Sequence, residues 1–196
     1  MYTEKKFIIP TLSGISQTNI DEHLKLYAGY IKHTNIIITE LKSESSDFIK
    51  TELNRRLGFE IGGIKNHELY FSLFEGGSGS PWNTSLLYQK IVETWGSFDA
   101  WKVEFIMIAK TRSIGWAFLS FDADAGILHN HWIDEQHIGQ NSQTINLIGM
   151  DMWEHAYVSD YLPSGKAKYI EDFLLNINWG LPEKKFKMLI ESIQKN

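Results

Sequence analysis

The sequence predicts an α+β protein: an N-terminal α-helical hairpin followed by an α/β domain with a small three-stranded antiparallel sheet surrounded by helices. Three observations predict this. Before Glu75, apolar residues recur at three- and four-residue steps; between Ile114 and Asp151, three strand-like stretches cluster; after Trp153, helical patterning returns.

The first helix is read from "TNIDEHLKLYAGYIKHTNIIITEL", with Thr18 as N-cap and His23 on the same face as Ile20, Leu24, Tyr27, Tyr30 and Ile31. A second helix runs through "NHELYFSLF", where His67, Tyr70, Phe71 and Phe74 share a face, so His67 also points inward. "EGGSGSPWN", Glu75 to Asn83, supplies turns but no packing surface. It marks a boundary between a helical hairpin domain at 1–80 and an α+β domain at 81–196. Two helices broken near Gly96 and Ser97 follow. "IGWAFLSFD", "GILHNHWID" and "TINLIGMD" read as strands, the first two joined through Asp122 to Ala125. The remainder reads as a helix from Trp153 to Tyr161, another starting at Ser164, and a last one through "LPEKKFKMLIESIQ" with Pro182 in its first turn.

Composition narrows the chemistry. With 196 residues, 43% of them hydrophobic, the chain can bury a sizeable core. It has no cysteine, which excludes disulfides, thiolate metal sites and cysteine nucleophiles, so a metal would be held by histidine, carboxylate or water. A net charge of -5 without a Lys/Arg run argues against nucleic acid as a partner. No long apolar run predicts a membrane span, and the N-terminus lacks the pattern of a signal peptide, so a cytoplasmic location is expected.

In "MDMWEHAY" an acid and an imidazole stand four residues apart, Asp151 and His155, behind an apolar strand. Both can reach one point at the strand-to-helix corner. Alone, such a pair is at least as often a buried hydrogen-bonded couple as a metal site. Two inward histidines on separate helices change the balance, because His23, His67, Asp151 and His155 make a three-nitrogen, one-oxygen set that suits manganese or iron better than structural zinc.

These motifs resemble those of the iron/manganese superoxide dismutase family. The family signature D-x-W-E-H-A-Y appears as "DMWEHAY", its second-ligand motif as "NHELYF", and further similar stretches as "WGSFDAW", "GWAFL" and "KAKYIEDFLLNINW". The resemblance implies one metal ion per chain, between the two domains, held by His23, His67, Asp151 and His155. It implies alternation between M(III) and M(II), with superoxide converted to O2 and H2O2 as an antioxidant defence. Trp116, Trp153 and Tyr157 would line or support the pocket, and Glu154 would bridge a homodimer toward the partner's ligand histidine.

The family's interval between first histidine and pocket tyrosine is one residue longer than that from His23 to Tyr30. A gapless alignment puts Glu22 in the ligand slot; His23 is preferred for its apolar face, with a helix irregularity absorbing the difference. Tyr27 and Tyr30 can both face the metal. A further departure is at the family's dimer gate, where Leu26 or Tyr27 and Val158 stand in place of a histidine and a tyrosine.

Metal choice correlates in the family with the source of a glutamine that hydrogen-bonds the metal-bound solvent. Gly63 stands where iron-type members often carry it, whereas "DEQHIG" supplies Gln136 in the loop used by manganese-type members. One manganese per chain is therefore the preferred cofactor, with iron or dual use close behind. The competing reading is a metal-free structural or interaction relative of the same fold. His129, His131 and His137 could form a second, zinc-like site, against which stands their reading as surface or interface histidines; His33 reads as a polar-face residue.

Overall fold

A computed structural model describes residues 1–193. Helix α1 (Gln17–Glu40) and helix α2 (Asp47–Ser72) form the N-terminal hairpin. The serine before each accepts a backbone N–H of its first turn, Ser16 from Asn19 and Ser46 from Ile49. Ser16 thus replaces Thr18 as the cap, because only at Ser16 does the backbone leave the helix with the side chain over the open N–H groups.

Helix α1 is α-helical without interruption, so no irregularity accompanies His23. Seven residues at about 100° each return to within about 20° of the starting direction, and His23 and Tyr30 therefore share a face in a regular helix. Helix α2 begins nineteen residues before the expected "NHELYF" start, 47 against 66. Its N-terminal half is largely exposed and tied by the surface pair Arg55–Glu52 and by Arg56–Glu60, whose carboxylate is buried. Such a segment has little apolar periodicity to read, and Gly58, Gly62 and Gly63 look like breakers.

Helices α3 (Leu86–Trp95) and α4 (Phe98–Ala109) are separated by Gly96 at φ 82 and the N-cap Ser97. A left-handed residue there stops one helix before a serine starts the next. Strands β1 (Gly115–Asp122), β2 (Ile127–Asp134) and β3 (Thr144–Asp151) form one antiparallel sheet in the order β2-β1-β3. The central strand is buried on both faces, which is why "GWAFLSFD" reads as a nearly continuous apolar run rather than an alternation. Helix α2 packs against β3 and α4 against β1 and β2. Trp116, Phe118, Trp101, Phe105, Tyr70, Phe71 and Phe173 fill the space between with essentially no exposure.

The register sets Trp116 opposite Asp151, so the sheet presents the end of β3 toward the hairpin. Beyond Asp151 the expected helix from Trp153 to Tyr161 is absent. Only a 3-10 turn, Glu154–Ala156, forms before a run of turns. Met152 N–H donates to Gly115 O and Trp153 N–H to the Asp151 carboxylate, pinning the segment to β1, and Tyr157 leaves helical geometry at φ -143. Helices α5 (Lys166–Asn176) and α6 (Gly180–Ile193) close the chain; Gln194, the expected last residue of α6, lies outside the described residues. The glycine-rich segment after α2 lies on the α5–α6 junction, where Gly79 N–H donates to Ile177 O and Asn178 Nδ2 donates to Glu75 O. Among the described residues no helix is long and apolar enough to cross a membrane.

Candidate metal centre

Four elements bring His23 (α1), His67 (α2), Asp151 (end of β3) and His155 (the 3-10 turn) together. One ligand atom from each lies within 4.8 Å of all the others, and no other such group occurs among the described residues. Asp151 Oδ2 is the hub: His23 Nε2 stands 3.1 Å away, His155 Nε2 3.2 Å and His67 Nε2 3.6 Å. Three side chains are fully buried, and His155 is 23% exposed.

Hydrogen bonding assigns the roles of individual atoms. His67 Nδ1 lies 2.6 Å from Gly63 O, a pure acceptor, so Nδ1 carries the proton and Nε2 keeps its lone pair. That Nε2 is buried without a hydrogen-bond partner and faces a carboxylate oxygen, an arrangement unfavourable for two acceptors but suited to a shared cation. Donors around one ion at about 2.1 Å stand roughly 3.0–3.6 Å apart when not trans, the range observed around Asp151 Oδ2. The hard-to-borderline N3O set fits iron or manganese.

Electrostatics agree. Burial pushes His67 down to about 3, helped by His23, and lowers His23 as well, so both are poised as neutral ligands. Burial alone would raise Asp151, but its interactions with His155 and His23, hydrogen bonds from both imidazoles among them, outweigh it and hold the carboxyl below its usual range. Asp151 Oδ1 accepts from Trp153 N–H at 2.8 Å, and Tyr169 OH donates to the Asp151 carbonyl at 2.9 Å, fixing the hub from two sides.

Gln136 reaches the same place from the β2–β3 loop. Its Oε1 accepts from Trp116 Nε1 at 2.9 Å, its Nε2 donates to Tyr30 OH at 3.0 Å, and its backbone O accepts from Asn66 Nδ2 at 3.0 Å. Two glycines of α2 make this possible. A Cβ on Gly62 would run into Gln136 O, and one on Gly63 would lie 2.6 Å from Tyr30 Cε1. The ring of Tyr30 lies 5.0 Å from that of His67, and Trp153 stacks on His155 at 5.7 Å while donating Nε1 to Glu135 O.

The structure brings Tyr30 to the centre and turns Tyr27 away. The Tyr27 hydroxyl is engaged elsewhere, accepting from Lys5 N–H and donating to Glu68, while its ring packs on Phe7 and Phe71. Tyr157 stacks on Tyr169 at 5.3 Å, behind the hub. His129 and His131 lie ring to ring at 5.2 Å, but with His137 they form no second ligand cluster among the described residues. His129 meets Asn141, His131 stacks on Phe118 and His137 packs against Phe59, while His33 is exposed on α1. Glu154 is exposed, and its carboxylate forms no hydrogen bond within the chain among the described residues, only its backbone O accepting from Tyr157 and Val158 N–H. Asn66, Gly62, Tyr169 and Phe59 were not singled out from the sequence. Asn66 carried a signal in its place beside His67, and Tyr169 in the stretch "KAKYIEDFLLNINW".

Comparison with known proteins points the same way. The profile described as iron/manganese superoxide dismutases, C-terminal domain, matches residues 83–185. A protein named superoxide dismutase [Fe] from Aquifex aeolicus is 32% identical over 93% of this chain and 89% of its own. Proteins named superoxide dismutase [Mn] from Mycobacterium leprae and Mycolicibacterium smegmatis are 31% and 32% identical, each over 90% of this chain and 86% of its own. With the N3O cluster, this establishes that the chain belongs to the iron/manganese superoxide dismutase family.

Proposed function

We propose that the protein is a superoxide dismutase that uses manganese by preference, as a cytoplasmic homodimer with an antioxidant role. The observation that carries the activity is the buried set His23, His67, Asp151 and His155, with His67 Nε2 lacking any other partner. Iron or manganese held there supplies one-electron chemistry by cycling between the trivalent and divalent states. Each turnover consumes two superoxide anions and two protons and yields O2 and H2O2, so the protein must admit an anion and protons to a dry centre.

The chain's own residues suit those tasks. Asp151 supplies a fixed negative charge that balances part of the cation's charge. Tyr30 and Gln136 form a hydrogen-bonded pair beside His67, and burial raises Tyr30 well above the usual phenol value, so it stays protonated as a donor. The second N–H of the Gln136 amide has no partner among the described residues, leaving it able to orient a polar group in the centre. Trp116 and Trp153 wall the pocket and exclude water.

The preference for manganese is supported by Gln136 and by the lack of room for any side chain at Gly63; relatives carry both iron and manganese names. The homodimer is supported by exposed Glu154 beside His155, whose Nδ1 has no acceptor within the chain among the described residues. Residues 1–80 and 81–196 serve in this reading as two lobes sharing one centre. Elemental analysis of the purified, unchelated protein, paired with a superoxide assay, tests it. About one Mn per chain with activity is expected; neither metal after reconstitution would end the enzyme reading.

A further inference from the structure

Arg56 and Glu60 stand one turn apart on α2, outside the donor set. Arg56 Nε donates to Glu60 Oε1 over 2.8 Å, yet the Glu60 side chain is 3% exposed and that of Arg56 is 50% exposed. The pair is therefore a dipole whose positive end faces solvent. An i,i+4 surface pair adds little to helix stability, and burying its carboxylate is unfavourable, so stability gives no reason for the arrangement.

The guanidinium carbon lies 3.8 Å from the centre of the Phe59 ring. Phe59 packs against Tyr30 at 5.8 Å and Trp153 at 6.4 Å, two rings that are themselves only partly covered, and Tyr30 lies 5.0 Å from His67. A line of contacts thus leads from solvent through Arg56, Phe59 and Tyr30 to a ligand histidine. Of the five guanidinium N–H groups, only Nε–H has an acceptor among the described residues. The four on the terminal nitrogens are held in plane by Phe59 and in direction by Glu60, which makes a preorganised fork for a small anion.

We propose that Arg56 captures the substrate anion at the mouth of the centre and that Glu60 is the positioning residue that holds it there. The proposal rests on the superoxide-dismutating reading. An incoming anion meets the guanidinium before the carboxylate, because the latter is buried behind it. The capture is electrostatic, so it weakens as salt shortens the Debye length.

The test uses the metal-loaded wild type, Arg56→Gln, Glu60→Gln and the double variant. Two quantities are read: the rate constant with superoxide by pulse radiolysis across ionic strength, and the azide dissociation constant by absorbance titration. Arg56→Gln should lower the rate and the azide affinity about three- to tenfold at low salt, with the difference fading at high salt. Glu60→Gln should raise both, since its carboxamide still accepts Nε–H while the guanidinium charge is no longer opposed. Opposite signs from the two partners distinguish capture from a structural role, in which both substitutions would be harmful. The double variant buries no unpaired charge and covers the case in which Arg56→Gln fails to fold. Unchanged salt dependence and azide affinity in a folded Arg56→Gln or double variant would overturn the proposal. A wild type inactive toward superoxide would instead refute the activity, and the azide titration would still decide the role of Arg56.

Discussion

Gln136 Nε2 donates to the Tyr30 hydroxyl over 3.0 Å, joining a residue of the β2–β3 loop to one on α1 directly above His67. The same amide accepts from Trp116 Nε1, so its orientation is fixed at both ends. Gln136→Ala removes the link without touching a donor atom. Activity should fall roughly 10–100-fold, the usual effect of losing a group that orients a metal site, while metal content per chain stays at the wild-type level. Superoxide assay and elemental analysis on one preparation check both halves.

Tyr30 and Tyr27 separate cleanly. Tyr30→Phe removes the hydroxyl beside the centre and should lower activity. Tyr27→Phe should leave activity intact and cost about 1–2 kcal/mol of stability, because Lys5 N–H loses its acceptor. Burial pushes the Tyr27 phenol up to about 12, so it is a neutral structural hydroxyl at physiological pH. Urea unfolding and steady-state activity of the two variants give the comparison; activity loss in Tyr27→Phe alone would reverse the assignment.

Gly63 has no room for a side chain. Gly63→Gln places a Cβ against the Tyr30 ring, from which it would lie 2.6 Å at Cε1, and the ring must move. A destabilisation of about 1–3 kcal/mol is expected, together with weakened coupling between Tyr30 and Gln136. Thermal unfolding of the metal-free protein measures the first effect.

His67→Ala and Asp151→Ala each remove one donor of the four. Each should leave less than about a tenth of the wild-type metal per chain after dialysis. Retention of a full equivalent in either variant would show that the metal sits elsewhere.

Acid acts on the centre with a definite sign. His67 falls from an ordinary 6.5 to about 3 in the folded chain through burial, so between those values the unfolded chain binds more protons and stability rises with pH. The contribution of His67 is present above 6.5 and is lost as pH falls toward 3. Asp151, held below its usual range, adds the same sign at lower pH. Urea midpoints of the metal-free protein should therefore drop as pH falls from about 6.5 toward about 3, and metal should dissociate on acidification as protons compete for the imidazoles.

Much of this was legible before folding because it is local. "DMWEHAY" and "NHELYF" carry three of the four donors as fixed spacings, and the apolar face of α1 carries His23 as the fourth. The three strands were readable from β-branched and aromatic runs bounded by turns. Where the reading failed, nonlocal contacts had overruled propensity. The segment after Asp151 patterns as a helix, but its hydrogen bonds to Gly115 and Asp151 hold it in a 3-10 turn. The outer half of α2 is a solvated helix whose polar surface hides its period.

By itself the sequence determined the α+β class, the donor types and the family, since periodicity, absence of cysteine and short motifs are properties of neighbouring residues. The tertiary structure alone decided that Tyr30 rather than Tyr27 faces His67, that His23 needs no irregularity in its helix, and that Gly62 and Gly63 admit Gln136 and Tyr30. It also set the Arg56 guanidinium over Phe59. Each of these depends on close approach between α1, α2 and the β2–β3 loop, distances that packing fixes and that no spacing along the chain encodes.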